Sequence, residues 1–344
     1  MQIKTYQGEH KIEYSIANLK GLEEKLRIGA ETYHPEKIRA LLKLRKIAKL
    51  SDVSTYFDVT KKTFNPKLNE TKENYLLELE NIGNFEIYNI PKVLTFSFKS
   101  SKNVTEYGDI VVSKLRPYLK QIGFIFLKDK VYTTTELIPL RLKKSFNNSL
   151  SFYLYIYLMT NKVQTIFFWS QEGTNHPRFP KYILSELPLP IPSLSYRKQI
   201  KNLVLKAHEE KQKAENLYKE AEDILLEELE LKNWKPKTKK IKIDGEEFEE
   251  EENISIRKLS ECLKVNRFDA EYWLPRYDEI EALIKNYRDG FDNLPSLINI
   301  SKEKIKIASN ENYNYIELAD INSNIGTINQ TEEIIGANLP SRAK

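Results

Sequence analysis

Between Leu187 and Leu231 the chain passes from a segment that cannot be helical to a long helical repeat. Leu187–Pro192 reads Leu-Pro-Leu-Pro-Ile-Pro, and its three prolines remove backbone donors and fix φ. Further on, apolar residues recur at alternating spacings of three and four, the a/d pattern of a coiled coil, which only Glu210 and Glu228 interrupt. The a/d residues are Ile200, Leu203, Ala207, Ala214, Leu217, Ala221, Ile224 and Leu231. This pattern predicts a helix of about 45 Å whose narrow apolar seam suits one partner helix.

The segment from 51 to 192 has a different texture. Short runs rich in Tyr, Phe, Val and Ile alternate with Asn, Gly and Pro, which is typical of strands and turns. The predicted strands are Val93–Phe98, Asp109–Ser113, Gly123–Leu127 and Leu137–Leu142. Leu150–Phe168 is long enough to form a helix, and Pro35 opens another helix that continues through Leu42. We therefore expect an α+β fold with a curved, mostly antiparallel sheet.

Two sequence patterns occur twice, about 240 residues apart. Arg27–Pro35 and Arg267–Pro275 share the pattern Arg-x-x-Ala-Glu-x-(Tyr or Trp)-x-Pro. Tyr75–Ile82 is similar to Tyr315–Ile321 at nearly the same separation. Solenoid repeats recur at roughly 20–50 residues, so a period this long predicts two whole domains in tandem.

Composition predicts a soluble, cytoplasmic protein. The 344 residues are 40% hydrophobic and 30% charged, and the N-terminus lacks a signal-peptide pattern. The longest apolar run, Leu150–Thr160, is shorter than the roughly 20 residues that a bilayer requires. The single cysteine, Cys262, is most simply a small buried or half-buried residue.

The positive charge is concentrated in the first domain. The net charge of the whole chain is +5, but between Pro91 and Lys181 there are fourteen Lys or Arg against five Asp or Glu, a local charge of +9. A polyanion would bind there, although a Lys-rich solvated surface would give the same count.

Motifs of catalysis are missing from the sequence. It contains neither a glycine-rich phosphate loop nor a Gly-x-Ser-x-Gly motif, and the four histidines lack metal-ligand spacing. A nuclease would need clustered carboxylates near a lysine; Asp109 and Lys114 lack a second carboxylate. The sequence therefore favours a binding protein.

Two polar segments are candidates for binding nucleic acid. Their side chains donate to phosphates and base edges, and arginine can contact guanine through two hydrogen bonds. The candidates after the strand Asp109–Ser113 are Ser113, Lys114, Arg116, Tyr118 and Lys120. The candidates around the loop Gln171–Arg178 are Gln171, Thr174, Asn175, His176, Arg178 and Lys181. The alternative interpretation is that these residues only face water, as loop residues commonly do.

The ordered combination of these motifs resembles the specificity subunit of type I restriction-modification systems. The resemblance rests on Gly108–Pro117, on Leu187–Pro192, on Gln199-Ile200 near the start of the long helix, and on the repeat that begins at Arg267. It extends over most of residues 27–344. Such subunits are non-catalytic DNA-binding proteins that serve defence against foreign DNA.

The resemblance implies an arrangement of two target-recognition domains, each reading half of a bipartite, gapped site in double-stranded DNA. Conserved helices hold the two domains apart as an antiparallel coiled coil and dock the methyltransferase (M) subunits, which a restriction (R) subunit can join. No cofactor is expected in this chain, because S-adenosylmethionine, ATP and Mg belong to the partner subunits.

These expectations give a set of domain boundaries. They are 1–44 for an N-terminal lead-in and helix, 45–193 for the first target-recognition domain, 194–232 for the spacer helix, 233–253 for a charged linker, and 254–344 for the start of a second target-recognition domain. The second domain is expected to be incomplete, because the counterpart of the Gly108-Asp109 strand would follow at its end.

Three interpretations of that truncation stay open: a natural truncation product, a half-subunit that forms a homodimer through Ile200–Leu231, or a fragment completed by another chain. Two further functions also stay open: a specificity-like remnant that binds DNA without supporting restriction, and an enzyme in its own right.

Overall fold

The computed structural model of the chain contains two compact units, Met1–His208 and Glu209–Lys344. It describes residues 2–7, 11–16, 29–59, 63–65, 72–173, 177–243, 246–301, 303–322, 326–328 and 332–340. Within these ranges the chain mixes helices with open, mostly antiparallel sheets, which confirms the predicted α+β class. None of its described helices combines the length and the apolarity needed to cross a bilayer.

The first unit contains two principal sheets and a group of helices. Its strands are β1 (Gln2–Gln7), β2 (Lys11–Ile16), β3 (Phe57–Val59), β4 (Thr63–Phe64), β5 (Glu73–Leu77), β6 (Ile82–Gly83), β7 (Glu86–Ile87), β8 (Lys92–Leu94), β9 (Lys102–Thr105), β10 (Ile110–Ser113), β11 (Ile122–Phe124), β12 (Val131–Thr133) and β13 (Leu137–Leu142). Its helices are α1 (Pro35–Ala48), α2 (Val53–Tyr56), α3 (Ser149–Leu158), α4 (Asn161–Phe168), α5 (Lys181–Ser185) and the first part of α6 (Leu194–Glu228).

One sheet has the strand order β11-β10-β13-β3 and is antiparallel throughout. The other has the order β4-β9-β12-β5-β8, in which β12 and β5 form the parallel pair. Hairpins β1-β2 and β6-β7 are separate two-stranded pairs.

Strand β10 is buried on both faces. Its four residues, Ile-Val-Val-Ser, alternate between faces as the period of a strand requires. Ile110 and Val112 lie in the main core with the aromatic residues of α3 and α4, whereas Val111 lies in a smaller core with Leu77 and Ile125. A continuous apolar run, rather than an alternating one, therefore marks the central strand.

Gly123 on β11 lies directly opposite Val111 on β10. A Cβ atom at this position would come within 2.3 Å of Ile87 Cγ1. The glycine is what allows hairpin β6-β7 to pack against the sheet this closely.

A buried ion pair fixes the start of β10. Asp109, with 3% of its side chain exposed, accepts from Arg141 Nη2 at 2.6 Å and from Arg141 Nε at 3.0 Å. The backbone N–H of Glu106 donates to the same carboxylate at 2.9 Å. Burial raises the pKa of Asp109 and the guanidinium offsets part of that rise, while the carboxylate raises the pKa of Arg141.

Three predicted elements are shorter or broken in the structure. The predicted helix Leu150–Phe168 is two helices, α3 and α4, because Thr160 is extended (φ −65°, ψ 143°) and its hydroxyl donates to Tyr157 O. The predicted strand Val93–Phe98 becomes β8 followed by a 3₁₀ helix at Thr95–Ser97. Strand β11 ends at Phe124, three residues before the predicted Leu127.

The proline segment before α6 is anchored by tyrosine hydroxyls. Tyr153 donates to Pro190 O at 2.6 Å and Tyr157 donates to Pro188 O, while Leu189 N donates to Ser51 O. Burial raises the pKa of Tyr153 to about 12, so this hydroxyl stays protonated as a donor. Prolines supply only carbonyl acceptors, and α3 supplies the matching donors.

Helix α6 has two different faces. Val204 and Leu205 pack against the main core, and His208 stacks on Phe126 with ring centroids 3.8 Å apart. On the predicted seam, Leu203, Leu217 and Ile224 are 68%, 64% and 60% exposed. Within the first unit, Leu203 of the seam therefore lies on a different face of α6 from Val204 and Leu205.

Helix α6 stops at Glu228, so the prediction that Leu231 continues the seam is wrong. Glu230 has φ +57° and turns the chain, and Leu231 N donates to Leu226 O. Such a left-handed residue commonly ends a helix.

The second unit repeats the start of the first. After α6 its elements are β14 (Thr238–Ile243), β15 (Glu246–Glu251), α7 (Leu259–Val265), α8 (Pro275–Lys285), α9 (Leu294–Leu297), β16 (Asn312–Tyr315), β17 (Ile321–Asn322), β18 (Thr327–Ile328) and β19 (Glu332–Ile335). Helices α1 and α8 both begin at a proline shortly after a 3₁₀ helix, at Glu31–Tyr33 and at Ala270–Trp273. The pair β16-β19 repeats the antiparallel pair β5-β8.

The two copies agree most closely at a turn that forms the same side-chain hydrogen bond in each. In the first copy Glu78 N donates to Asn81 Oδ1 at 2.9 Å, around the 3₁₀ helix Leu79–Asn81. In the second copy Glu317 N donates to Asp320 Oδ2 at 2.7 Å, around Leu318–Asp320. The repeat seen in the sequence is thus a repeat of hydrogen-bonded structure.

Each copy also begins with a hairpin that the sequence did not predict. The region predicted as a charged linker, 233–253, contains the antiparallel hairpin β14-β15, in which Lys239 faces Glu250 and their side chains pair at 3.8 Å. Opposite charges directly across an antiparallel pair stabilise it, so two opposed charge blocks can fold instead of staying solvated. Hairpin β1-β2 occupies the corresponding place in the predicted lead-in.

The second unit exposes positions that the first unit buries. Leu77 and Ile82 are 0% and 3% exposed, because they pack beside Val111 of β10. Their counterparts Ile316 and Ile321 are 42% and 44% exposed. The described part of the second unit contains no counterpart of strands β10 to β13.

We predict that Arg141→Met lowers the free energy of unfolding by about 3 kcal/mol, because it leaves the carboxylate of Asp109 buried without its cation. Urea unfolding followed by circular dichroism measures the change. The double variant Asp109→Asn with Arg141→Met should recover more than half of that loss. A double variant no more stable than Arg141→Met would show that charge burial is not the cause.

Candidate functional site

Three chain segments meet where β10 ends. Lys114, the residue after β10, donates its backbone N–H to Glu136 O at 2.8 Å, which extends the pairing of β10 with β13. The carbonyl of Lys114 accepts from Phe179 N at 2.7 Å, and Leu115 forms an antiparallel bridge with Arg178. The two candidate segments of the sequence are therefore neighbours through backbone hydrogen bonds.

Three cations are close together at this junction. Lys114, Arg178 and Lys181 line one open depression of about 560 Å³, together with Glu172, Phe179, Pro180 and Tyr182. Partial burial lowers the pKa of Lys114, Glu136 opposes that shift, and the charges of Lys181 and Arg178 add to it. Within the described residues the ammonium groups of Lys114 and Lys181 make no hydrogen bond. Such a group of cations suits an anion that brings its own acceptors.

Arg116 lies on a strained turn next to the depression. It has φ +46° and ψ +54°, and Pro117 after it begins a 3₁₀ helix, Pro117–Leu119, that ends at Lys120 with φ +64°. Left-handed backbone at a residue other than glycine is uncommon and is often found at functional sites. Arg116 and Lys120 are both exposed, and Tyr118 packs edge-on against Phe168 with centroids 5.0 Å apart. The turn therefore exposes Arg116 and Lys120 to solvent, while Tyr118 attaches it to α4.

Two of the candidate side chains, those of Ser113 and Gln171, form hydrogen bonds with the nearby backbone. Ser113 is fully buried, where its hydroxyl donates to Leu115 O at 2.8 Å and accepts from Leu115 N at 3.0 Å. Gln171 is half-buried and donates to Phe167 O at 3.0 Å at the end of α4. Both side chains are thus engaged by the backbone of the chain itself. Thr174, Asn175 and His176 lie outside the described residues.

The sequence analysis missed the acidic residues of this site. Glu136 Oε2 accepts from Arg178 Nε at 3.2 Å, and Glu172 exchanges two backbone hydrogen bonds with Arg178. The place of Glu136 follows from strand register, because antiparallel pairing with Ser113 opposite Leu137 brings Lys114 opposite Glu136, and the sequence alone does not give that register.

Asp109 and Lys114 lie at opposite ends of β10, and the carboxylate of Asp109 is already paired with Arg141. Over the residues that the structure describes, no group of three His, Cys, Asp or Glu side chains is arranged to hold a metal ion.

A model of one protein family matches the chain. The family is the type I restriction modification DNA specificity domain, and the match covers residues 45–221, just over half of the 344 residues. It includes β10, the basic depression, the proline segment and most of α6. A comparison with curated proteins gave no match.

Solved structures give two further likenesses. One is the HsdS subunit from Thermoanaerobacter tengcongensis, at 18% identity and a TM-score of 0.40. The other is a chain from a study of complex assembly and conformational transition of the type I R-M system, at 18% identity and a TM-score of 0.36. Each match covers 52% of this chain and 47% of the other, so the chain spans about half the length of these structures.

We predict opposite shifts of the Lys114 pKa in two variants. Glu136→Gln should lower the pKa further, because it removes the charge that stabilises the ammonium form, and Lys181→Gln should raise it, because it removes a repelling cation. Lysine-selective NMR titration of the Lys114 side chain measures both shifts. Shifts of the same sign in both variants would contradict this electrostatic arrangement.

Proposed function

Because the chain belongs to the family of type I restriction modification DNA specificity domains, we propose that it is the DNA-recognition subunit of a type I restriction-modification system. Sequence readout is its own contribution. Methyl transfer and cleavage belong to the methyltransferase and restriction subunits, which would carry S-adenosylmethionine, ATP and Mg.

The observation that carries this proposal is the cluster of Lys114, Arg178 and Lys181 at the end of a strand buried on both faces. Lysine ammonium groups bind phosphate as point charges, and the planar arginine fork matches guanine O6 and N7 in the major groove. Reading a base edge also requires a side chain held on a rigid base. Strand β10 provides that base, because the packing of two cores fixes its position.

Arg116 and Lys120 extend the positive surface along the chain. Both lie on the turn that follows Lys114, and Tyr118 of the same turn packs against Phe168 of α4. We assign these two residues to the DNA backbone or to base edges near the depression, in agreement with the local charge of +9 between Pro91 and Lys181.

The duplicated elements support a bipartite target. In this proposal the first unit reads one half-site, and a domain that begins with the repeated elements of the second unit reads the other. A stiff helix between two such readers would keep the half-sites at a fixed gap, since half-site spacing follows from protein geometry.

The exposed seam of α6 supports a role in assembly. Its apolar a/d residues are regularly spaced over 200–224, and Leu203, Leu217 and Ile224 among them are mostly exposed. We propose that this seam docks the methyltransferase subunit; pairing of the seam with a second copy of the chain is the alternative outcome, which light scattering and co-purification distinguish.

We predict that the chain, co-purified with its methyltransferase subunit, selects a defined sequence from a random duplex library at moderate salt, where nonspecific phosphate binding is suppressed. Two half-sites separated by a gap would support two readers. A single half-site would assign the reading to the first unit alone. Failure to enrich any sequence would overturn the proposed function.

Arg116→Asn tests the assignment within that experiment, because asparagine tolerates the left-handed backbone but removes the guanidinium. Its affinity for the selected duplex should fall about tenfold. Lys144→Asn removes the same charge from an exposed site on another turn and serves as the control. If the two variants lost the same affinity, Arg116 would contribute to DNA binding only through its charge, and the assignment of a specific contact would be wrong.

We predict that Leu217→Glu with Ile224→Glu abolishes association through the seam, since each buried leucine or isoleucine contributes about 1.5–3 kcal/mol. Light scattering of the chain alone and co-purification with the methyltransferase subunit measure the two kinds of association. Asn216→Glu adds charge on the same helix away from the seam and should change neither. Retention of both associations in the double variant would contradict the assignment of the seam.

A further inference from the structure

Glu136 is an acidic residue in contact with the basic cluster of Lys114, Arg178 and Lys181. It precedes β13, its carbonyl accepts from Lys114 N at 2.8 Å, and its carboxylate accepts from Arg178 Nε at 3.2 Å. An acid at this place weakens the attraction for phosphate, so general DNA affinity gives no reason for it. Its contact with Arg178 suggests a different role.

The backbone of Arg178 is fixed on both sides. Its N–H donates to Glu172 O at 2.7 Å, its carbonyl accepts from Glu172 N at 2.8 Å, and it bridges to Leu115. The guanidinium then reaches Glu136 across the segment that contains Lys114. The side chain of Arg178 is thus anchored at its base by the backbone and near its tip by one carboxylate.

The anchoring contact uses only the inner nitrogen of the guanidinium. Within the described residues Nη1 and Nη2 of Arg178 donate no hydrogen bond. These two atoms form the edge of the arginine fork that hydrogen-bonds O6 and N7 of guanine. The side chain of Arg178 is 57% exposed and that of Glu136 is 29% exposed, so this edge is open to solvent.

We propose that Glu136 is a positioning residue for Arg178 and makes it the guanine reader of the first unit. This inference rests on the proposed function and deepens it. Glu136 holds Nε so that Nη1 and Nη2 face the groove, while Lys114 and Lys181 contact phosphate. The carboxylate also repels phosphate from Arg178, which disfavours nonspecific DNA.

The two effects of Glu136 predict changes of opposite sign. Removing the carboxylate should weaken the preference for guanine at one base pair, because the fork loses its orientation. It should leave affinity for unrelated DNA unchanged or increase it, because a negative charge is removed beside three cations. A residue that only maintained the fold would lower both affinities together.

The test uses the full chain, in the preparation that selects a DNA sequence, with the selected duplex and a series in which each G·C pair is replaced by A·T. Glu136→Ala should reduce discrimination at one guanine roughly tenfold. Arg178→Lys keeps the charge but removes the fork, and it should lose the preference at the same base pair. The double variant should lose nothing more, because both changes act on one contact.

Two matched variants complete the experiment. Glu136→Gln keeps an oxygen that can accept from Nε, and it should retain most of the guanine preference. Asp129→Ala removes an exposed carboxylate from a different turn, so it matches the change of net charge and should leave discrimination unchanged.

Three results would overturn the inference. The first is wild-type discrimination at every guanine in Glu136→Ala, and the second is an equal loss of affinity for all duplexes. The third is a selected sequence in which no guanine depends on Arg178, which would leave the proposed function intact. If the unmodified chain selects no sequence, the proposed function fails and this inference fails with it.

Discussion

The burial of β10 on both faces is the constraint on which the first unit depends. Ile110 and Val112 on one face and Val111 on the other belong to two separate cores, so the strand cannot shift by one residue without exchanging its faces. Gly123 on the adjacent strand leaves room for Ile87 beside β10. The ion pair of Asp109 with Arg141 holds the residue just before the strand. A strand fixed in this way places the residue that follows it at a defined point, and that residue is Lys114.

The two ends of β10 use charge in different ways. At Asp109 a carboxylate is removed from water and paired with Arg141, which contributes to the fold and leaves little accessible to a ligand. At Lys114 the ammonium group is half-exposed near the cations Lys181 and Arg178. Partial burial and repulsion by these cations destabilise the charged form, and a bound anion would offset that repulsion. Glu136 moderates that cost and connects it to Arg178, so the balance of charge at the site is set by neighbouring strands as well as by its loops.

Sequence patterns predicted the parts of this chain that repeat or run continuously. The heptads of α6 gave a correct element because their period fits only a helix, and the short β-branched run at Ile110–Val112 gave a correct strand because of its residue types and length. The break at Thr160 and the end of α6 before Leu231 depend on single backbone torsions that periodicity does not contain. Lys114, Arg178 and Lys181 were predicted from residue type, whereas the burial of Ser113 and the place of Glu136 follow from strand register.

The paired turns at Glu78–Asn81 and Glu317–Asp320 show which information survives duplication. In both copies a backbone N–H donates to a short polar side chain three residues later. The apolar residues around this turn are buried in the first copy and exposed in the second. Core positions accept many aliphatic side chains of similar volume, so two copies can diverge there quickly. A donor that must be satisfied within one turn accepts very few residues. Ancient relationships between domains of this kind should therefore be traced through the polar residues that close their turns.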